Sequence, residues 1–130
     1  MLAKSNISIE VDGKSHPVQS FSYSLRQHTD HTGQPASETQ GGEIHITLES
    51  TKENEFLEWM CDSYMRKDGK ITIMKSEEEG KLKEFEFKEA FMTDFSESFG
   101  ESGNGSISFS LSAKEISMGN ATHTNEWLDD

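Results

Sequence analysis

Residues 50–65 read STKENEFLEWMCDSYM and form the one stretch of this sequence whose hydrophobic pattern indicates a helix. Apolar side chains recur three and four positions apart, and polar and acidic side chains fill the rest of each turn. The predicted apolar stripe consists of Phe56, Leu57, Met60, Cys61 and Tyr64. A single amphipathic helix cannot form a core alone, so the segments on both sides of it must supply the opposing apolar surface.

Both ends of this helix have sequence signals. Ser50 and Glu53 match a capping box, in which each side chain accepts a backbone N–H of the first turn. Asp68-Gly69 is the predicted stop, because glycine adopts the left-handed backbone that ends helices. These signals predict a helix over residues 51–65. Cys61, the only cysteine, is expected to be a buried structural thiol that forms no intramolecular disulfide.

Length and composition limit the class of protein. The 130 residues suffice for one ordinary domain, which we expect to span residues 1–130. Only 32% of the residues are hydrophobic, which predicts a small core and makes oligomerisation a source of further stability. The formal net charge of −12 argues against binding to nucleic acid or to anionic membranes.

The sequence also bears on where the protein is made. The first residues, MLAKSN, contain no apolar run of signal-peptide length, and no segment approaches the ~20 apolar residues that span a bilayer. We therefore expect synthesis in the cytoplasm. If the protein leaves the cell, we expect a route that needs no N-terminal signal.

Strand patterns precede the helix. Apolar and polar residues alternate over residues 7–11, and Asp12-Gly13 is a strong hairpin signal that leads to a second strand over residues 17–27. In that second strand Phe21, Tyr23 and Leu25 share one face, and three serines share the other face.

A long polar segment follows the second strand. Residues 28–42 read HTDHTGQPASETQGG, with no periodicity, so they predict an exposed loop. Loops of this length are uncommon and usually functional. A third strand over residues 43–49 places Ile44, Ile46 and Leu48 inward and polar residues outward.

Two further strands follow the helix. Residues 70–76 alternate, residues 77–80 (EEEG) form a predicted charged turn, and residues 81–99 return as one long strand. Five phenylalanines of that strand share one parity: Phe85, Phe87, Phe91, Phe95 and Phe99. Its length exceeds that of a typical strand, which predicts a bend or bulge near residues 88–90.

The last strand repeats the serine pattern. After a flexible turn at residues 100–105, residues 106–113 read SISFSLSA, with apolar residues on one face and serines on the other. The tail, residues 119–130, has no clear pattern. Trp127 and Leu128 are its candidates for anchoring to a neighbouring subunit.

Together these elements predict a mainly β fold, a small antiparallel β-barrel with one α-helix packed at its side. Six aromatic residues have two interpretations: they fill the barrel, or they line the cavity of a monomeric barrel that binds an apolar ligand. These residues are Phe21, Tyr23, Phe85, Phe87, Phe95 and Phe109. The assembly state discriminates the two interpretations, because a ligand-binding barrel has no need of a ring.

The sequence offers no set of catalytic residues. It lacks a G-x-S-x-G nucleophile elbow, and its glycine-rich turn at 100–105 joins two strands rather than a strand and a helix. His28 and His31, with Asp30 between them, are a weak zinc pattern, because no third ligand has a predictable position. We therefore expect neither enzymatic activity nor a metal or cofactor.

Three segments resemble a known family. They are SFSYSLRQHTDHTGQPAS (20–37), GGEIHITLES (41–50) and GSISFSLSAKEIS (105–117). With the order of elements, they make the chain similar to the Hcp family (TssD), the tube protein of bacterial type VI secretion systems, in the form found in Bacteroidetes. The resemblance implies a barrel related to phage tail tubes. It also implies hexameric rings that stack into a tube expelled by a contractile sheath, with spike components as further partners and effector proteins in the lumen.

The resemblance suggests roles for two sets of residues. A hydrophilic lumen without large side chains would suit the two serine faces, whose other interpretation is ordinary solvent-facing strand positions. The lumen candidates are Ser20, Ser22, Ser24, Ser106, Ser108, Ser110 and Ser112. The resemblance implies that the long loop reaches a neighbouring ring or subunit, and the alternative is a disordered connection. The loop candidates are His28, Thr29, Asp30, His31, Thr32, Gln34 and Pro35.

Overall fold

The computed structural model describes residues 6–76 and 80–127. Within these residues the chain forms eight strands and one helix. In chain order they are β1 (Ile7–Val11), β2 (Lys14–Val18), β3 (Ser20–Arg26), β4 (Gln40–Glu49), α1 (Glu55–Cys61), β5 (Lys67–Ser76), β6 (Gly80–Phe99), β7 (Gly105–Met118) and β8 (Ala121–Thr124).

All strands belong to one antiparallel sheet. The strand order is β2-β1-β5-β6-β7-β4-β3, and β8 pairs with the end of β7. Among the described strands no ladder joins β2 to β3, so the sheet is barrel-like but not closed by strand pairing. The two outer strands meet at Gln19, whose backbone N–H donates to the Thr47 carbonyl at 2.8 Å. The predicted mainly β class with one helix at its side is confirmed.

The inward faces of the strands and α1 enclose one apolar core. The predicted alternation is confirmed in β4 and β7, whose inward residues are all buried: Ile44, Ile46, Leu48, Ile107, Phe109 and Leu111. Phe56 of α1 stacks on Phe109 with ring centroids 4.8 Å apart. The helix therefore packs directly against β7, the strand that carries the second serine pattern.

The helix is shorter than predicted. It spans seven residues rather than residues 51–65, and its N-cap residue, Asn54, makes no side-chain capping bond. The Ser50 N–H donates instead to the Gly105 carbonyl at 3.0 Å, which keeps Ser50 at the end of the sheet and outside the helix. The backbone becomes extended at Asp62, so the predicted stop at Asp68-Gly69 lies within β5.

The buried face of α1 also differs from the predicted stripe. Phe56 and Trp59, three residues apart, are its buried residues, and the Trp59 indole N–H donates to the Met65 carbonyl at 3.0 Å. Leu57 is 39% exposed, and Tyr64, which lies beyond the helix, is 85% exposed. Cys61 is exposed, so the prediction of a buried thiol is wrong.

The first hairpin is confirmed, but the strand after it is not continuous. Asp12 and Gly13 have φ values of +56° and +78°, which the type I′ hairpin turn requires. The single strand predicted over residues 17–27 is divided between β2 and β3. The reason is a change of partner, because β2 pairs with β1 whereas β3 pairs with β4.

Two bulges divide β6. The predicted bulge near residues 88–90 is confirmed, because Glu89 has a φ of +51° and the register with β5 shifts there. The buried positions pass from Phe87 to Ala90, so Phe91 points to the opposite face and the prediction of one shared parity is wrong. A second register shift after Met92 returns Phe95 to the core side.

The tail contains structure that the sequence pattern did not predict. β8 pairs with the last residues of β7, and the Asn125 side-chain amide donates to the carbonyls of Gly41 and Ala113 at 2.9 and 3.0 Å. The Trp127 ring lies 5.3 Å from that of Phe91 within the same chain. The predicted anchor Leu128 and residues 77–79 of the predicted charged turn lie outside the described residues.

Candidate functional site

The sheet brings the two serine sets onto one surface. On one side of β4, residues Ser20, Ser22 and Ser24 pair with Thr47, His45 and Glu43. On its other side, the same three β4 residues pair with Ser108, Ser110 and Ser112. The two sets are therefore two strand spacings apart, about 10 Å, although more than 80 residues separate them in the sequence.

The second half of β6 extends this surface. Ser96 pairs with Ser108, Ser98 with Ser106, and Asp94 with Ser110. We call the combined surface of β3, β4, β7 and β6 the hydroxyl face. It consists of Ser20, Ser22, Ser24, Glu43, His45, Thr47, Glu49, Asp94, Ser96, Ser98, Ser106, Ser108, Ser110 and Ser112. Sequence reasoning missed the β6 residues because the second bulge, which orients them, has no clear signal in the sequence.

Cross-strand hydrogen bonds link the side chains of the hydroxyl face. His45 Nδ1 and Ser110 Oγ are joined at 2.8 Å, and Thr47 Oγ1 and Ser108 Oγ at 3.2 Å. Such polar pairs on facing strands stabilise one arrangement of the side chains. Nine of the fourteen side chains of the face are the small hydroxyl groups of serine, so the surface is hydrophilic and its larger groups are few.

The charges of the hydroxyl face are not neutralised. Glu43, Glu49 and Asp94 are exposed, and within residues 6–76 and 80–127 none of them has an ion-pair partner. Arg26, at the end of β3, lies at the margin of the face and lines a groove together with Glu43.

The other half of the outer sheet surface has a different chemistry. Its strands, β1, β5 and the first half of β6, with the end of β7, carry acidic and basic side chains in cross-strand ion pairs. Glu10 pairs with Lys70 at 3.7 Å, and Lys88 pairs with Glu115 at 3.7 Å. We call this surface the paired-charge face, and it consists of Glu10, Lys70, Lys81, Glu84, Lys88 and Glu115. One continuous sheet therefore has two distinct outer surfaces.

The long loop is exposed, as predicted, and is ordered by its own hydrogen bonds. It ends at residue 39, earlier than predicted, because β4 begins at Gln40. A bridge pairs Thr29 with Pro35, and the Asp30 carboxylate accepts from the Thr32 hydroxyl at 2.6 Å and the Thr32 N–H at 2.8 Å. These donors, the hydroxyl first, hold the pKa of Asp30 below its ordinary value. The tip of the loop is thus a compact turn on an exposed extension.

The zinc pattern in this loop gains no support from the geometry. Across the part of the chain that the structure describes, no group of three His, Cys, Asp or Glu side chains could hold a metal ion. The same residues contain no helix long and apolar enough to cross a membrane.

The sequence matches the family model of Hemolysin coregulated protein Hcp (TssD) over residues 3–128. The chain belongs to the Hcp family. Its structure is similar to that of Hcp1 from Flavobacterium johnsoniae, with a TM-score of 0.85, 39% sequence identity, and coverage of 92% of this chain and 98% of that chain. The resemblance to the Bacteroidetes form of Hcp is therefore confirmed.

More distant structures share the fold. Hcp1 from the E. coli EAEC 042 pathovar has a TM-score of 0.74 at 13% identity, with coverage of 95% of this chain and 99% of that chain. A chain of the sheath–tube complex of PVC, an extracellular contractile injection system, matches with a TM-score of 0.63 at 18% identity. The match covers 93% of this chain and 93% of that chain. A comparison with curated proteins found no match.

Membership of the Hcp family establishes the general role. The chain is a tube subunit of type VI secretion, and Hcp is a secreted structural protein rather than an enzyme. The expectation of a non-enzymatic protein is thereby confirmed.

The aromatic residues of the ligand-binding alternative pack against one another in this Hcp fold. Phe85, Phe87 and Phe109 are buried in the core cluster, and Phe21 meets Phe85 edge-on with ring centroids 5.1 Å apart. A groove of about 210 Å³ lies beside Tyr23, between β3 and β8, and is open to solvent. Phe85, Phe87 and Phe109 therefore fill the interior, Phe21 and Phe95 pack against it partly buried, and Tyr23 is 37% exposed at its edge.

Proposed function

We propose that this Hcp-family chain assembles into hexameric rings whose hydroxyl face lines the lumen, and that the rings stack into the inner tube of a type VI apparatus. The lumen holds effector proteins, and the sheath and spike components are the other partners. One observation carries the proposal: the outer surface of the sheet is divided into a hydroxyl face and a paired-charge face.

The composition of the hydroxyl face suits a lumen wall. A protein that moves along a tube must not adhere tightly to its wall, and serine side chains offer neither apolar area nor long flexible groups. The interstrand hydrogen bonds of His45 and Thr47 keep the side chains close to the sheet. The paired-charge face, with long Lys and Glu side chains, is better suited to the outside of the ring.

The width of the hydroxyl face gives the size of the lumen. Four strands spaced about 4.8 Å apart provide about 19 Å of wall per subunit, so six subunits enclose a lumen roughly 35 Å across. A compact domain of about 50 residues has a radius of gyration of about 10 Å and an outer diameter of about 25 Å, so it fits within that lumen. The proposed cargo is therefore a small folded protein or an extended chain.

A ring also explains the position of β3. This strand ends the strand order, so its outer edge has backbone groups with no ladder partner among the described strands. Tyr23 and Leu25 on this strand are 37% and 45% exposed. In a ring, one surface of each subunit meets a different surface of the next, and such a contact covers the edge of β3.

The first test is the mass of the assembled protein. Light scattering should give about six times the chain mass of 14.6 kDa, and negative-stain microscopy of the same fraction should show rings with an open centre. A stable monomer at all concentrations would contradict the proposal and favour the ligand-binding barrel.

The second test places cysteines on the two faces. Cys61 is exposed, so it is first replaced by serine. Ser22→Cys and Ser110→Cys report on the hydroxyl face, and Glu86→Cys on the opposite half of the sheet is the matched control. With a bulky maleimide, we expect the first two to react in monomers but not in closed, capped tubes, and the control to react in both. Equal labelling of all three in tubes would refute the lumen assignment.

We further propose that the loop residues 28–35 contact the neighbouring ring. Their exposure and the compact turn at Asp30 support this role, because an ordered extension loses little conformational entropy on binding. Deleting residues 32–37 should leave the circular dichroism spectrum of the sheet unchanged and weaken ring stacking. Tubes of normal length from the deletion variant would contradict the role.

A further inference from the structure

The hydroxyl face has a net negative charge that the rest of the sheet does not share. Three acidic residues lie on the face, two on β4 and one on β6. Arg26, a basic residue, lies at the margin of the face and lines a groove with Glu43. The acidic residues are Glu43, Glu49 and Asp94. They are spread over β4 and β6 rather than gathered at one point, so the charge belongs to the surface as a whole.

Ion pairing distinguishes this surface from the paired-charge face, although other exposed acidic residues, Glu86 among them, also have no ion-pair partner within the described residues. On the paired-charge face, Glu10, Glu84 and Glu115 each have a lysine within 4 Å. In the connection at the bulge of β6, Glu89 pairs with Arg66 at 3.1 Å. The acidic residues of the hydroxyl face have no such partner among the described residues, so their charge acts on whatever lies opposite the face.

A ring increases the effect of these charges. Six copies arrange the unpaired carboxylates around one enclosed volume, where low-dielectric walls focus the field. The Debye length at physiological salt is about 8 Å, so the field acts on a cargo that comes close to the wall and is screened at the centre. The hydroxyl groups next to the carboxylates can accept hydrogen bonds from lysine and arginine side chains.

We propose that the lumen of this chain selects cargo proteins with a cationic surface. The inference rests on the proposed function, because it requires a ring with the hydroxyl face inward. A cargo with a basic surface would neutralise the unpaired carboxylates, whereas an acidic cargo of the same size would be repelled from the wall. Such contacts are weak and salt-dependent, so a cargo held by them can dissociate.

The experiment measures peptide binding to isolated rings by fluorescence anisotropy, with fluorescein-labelled decalysine and decaglutamate as probes. The test variant neutralises the face: Glu43→Gln, Glu49→Gln and Asp94→Asn. The control variant removes the same net charge from exposed positions on α1, on the connection before it and on the opposite half of the sheet: Glu53→Gln, Glu58→Gln and Glu86→Gln. We expect the test variant to bind decalysine about tenfold more weakly than wild type, and the control to change by less than about twofold.

A further variant and two comparisons distinguish a failure of this inference from a failure of the proposed ring. Ser22→Lys with Ser96→Lys keeps every carboxylate and adds cations to the face, so it should weaken decalysine binding even if the neutralised variant fails to assemble. Equal losses in test and control variants, or equal binding of decalysine and decaglutamate to wild-type rings, would overturn the inference and leave the proposed ring intact. A wild-type chain that forms no rings would overturn both.

Discussion

Replacing Trp59 with alanine removes the side chain that attaches α1 to the sheet. The indole is 1% exposed, and its N–H donates to the Met65 carbonyl at 3.0 Å. Truncating a buried tryptophan costs about 3–5 kcal/mol through lost burial and the cavity that remains. Trp59→Phe keeps most of the apolar contact but loses the hydrogen bond, which costs about 1–2 kcal/mol.

The matched control is Leu57→Ala on the same helix. Leu57 is 39% exposed, and alanine has the higher helix propensity, so we expect a change in the free energy of unfolding within about 0.5 kcal/mol. The assay is urea unfolding followed by circular dichroism, at one fixed protein concentration because assembly adds to apparent stability. If Leu57→Ala costs as much as Trp59→Ala, the helix buries the stripe predicted from the sequence and the packing described above is wrong.

Three further changes test other parts of the fold. A Cβ at Gly69 would lie 2.9 Å from Cε2 of Phe87, so Gly69→Ala should lower the free energy of unfolding by about 1–3 kcal/mol, and an unchanged melting temperature would contradict this packing. Asn125→Ala removes two hydrogen bonds that hold the chain after β8, so amide exchange in β8 should accelerate while the core of the sheet stays protected; slow exchange in β8 would show that the bonds are dispensable. Because the pKa of Asp30 is lowered, its hydrogen bonds stabilise the loop at pH values above the ordinary pKa of 3.8. This stabilisation is lost as the pH falls through the lowered pKa. An NMR titration should therefore give a midpoint below 3.8 and increased exchange of the Thr32 amide under acid conditions, and a midpoint at or above 3.8 would refute the turn.

The strand faces were predictable because a two-residue period determines which side chains share a face. Alternation alone identified the inward residues of β4 and β7, such as Ile46 and Phe109, and the positive φ values at Asp12 and Gly13 followed from the hairpin signal. The helix was harder, because the apolar pattern continues to Tyr64 although the backbone becomes extended at Asp62. Periodicity alone does not show where a helix ends when the residues after it form hydrogen bonds outside the helix.

The candidate site was predictable in its parts but not as a surface. Each serine set follows from local alternation, whereas their approach on either side of β4 depends on the strand order. The bulges at Glu89 and after Met92 determine which β6 residues join the face, and each reverses the parity of all the residues that follow. β8 was not predicted because its four residues, Ala121–Thr124, have no apolar alternation and pair with β7 alone.

The most direct test of the proposed tube is a cryo-electron microscopy map of assembled rings at a resolution that separates strands. The orientation of the sheet predicts that Ser22, His45 and Ser110 face a lumen roughly 35 Å across, with Lys70 and Glu86 on the outer wall. Rings in which the paired-charge face lines the lumen, or in which the hydroxyl face is covered by subunit contacts, would contradict the account.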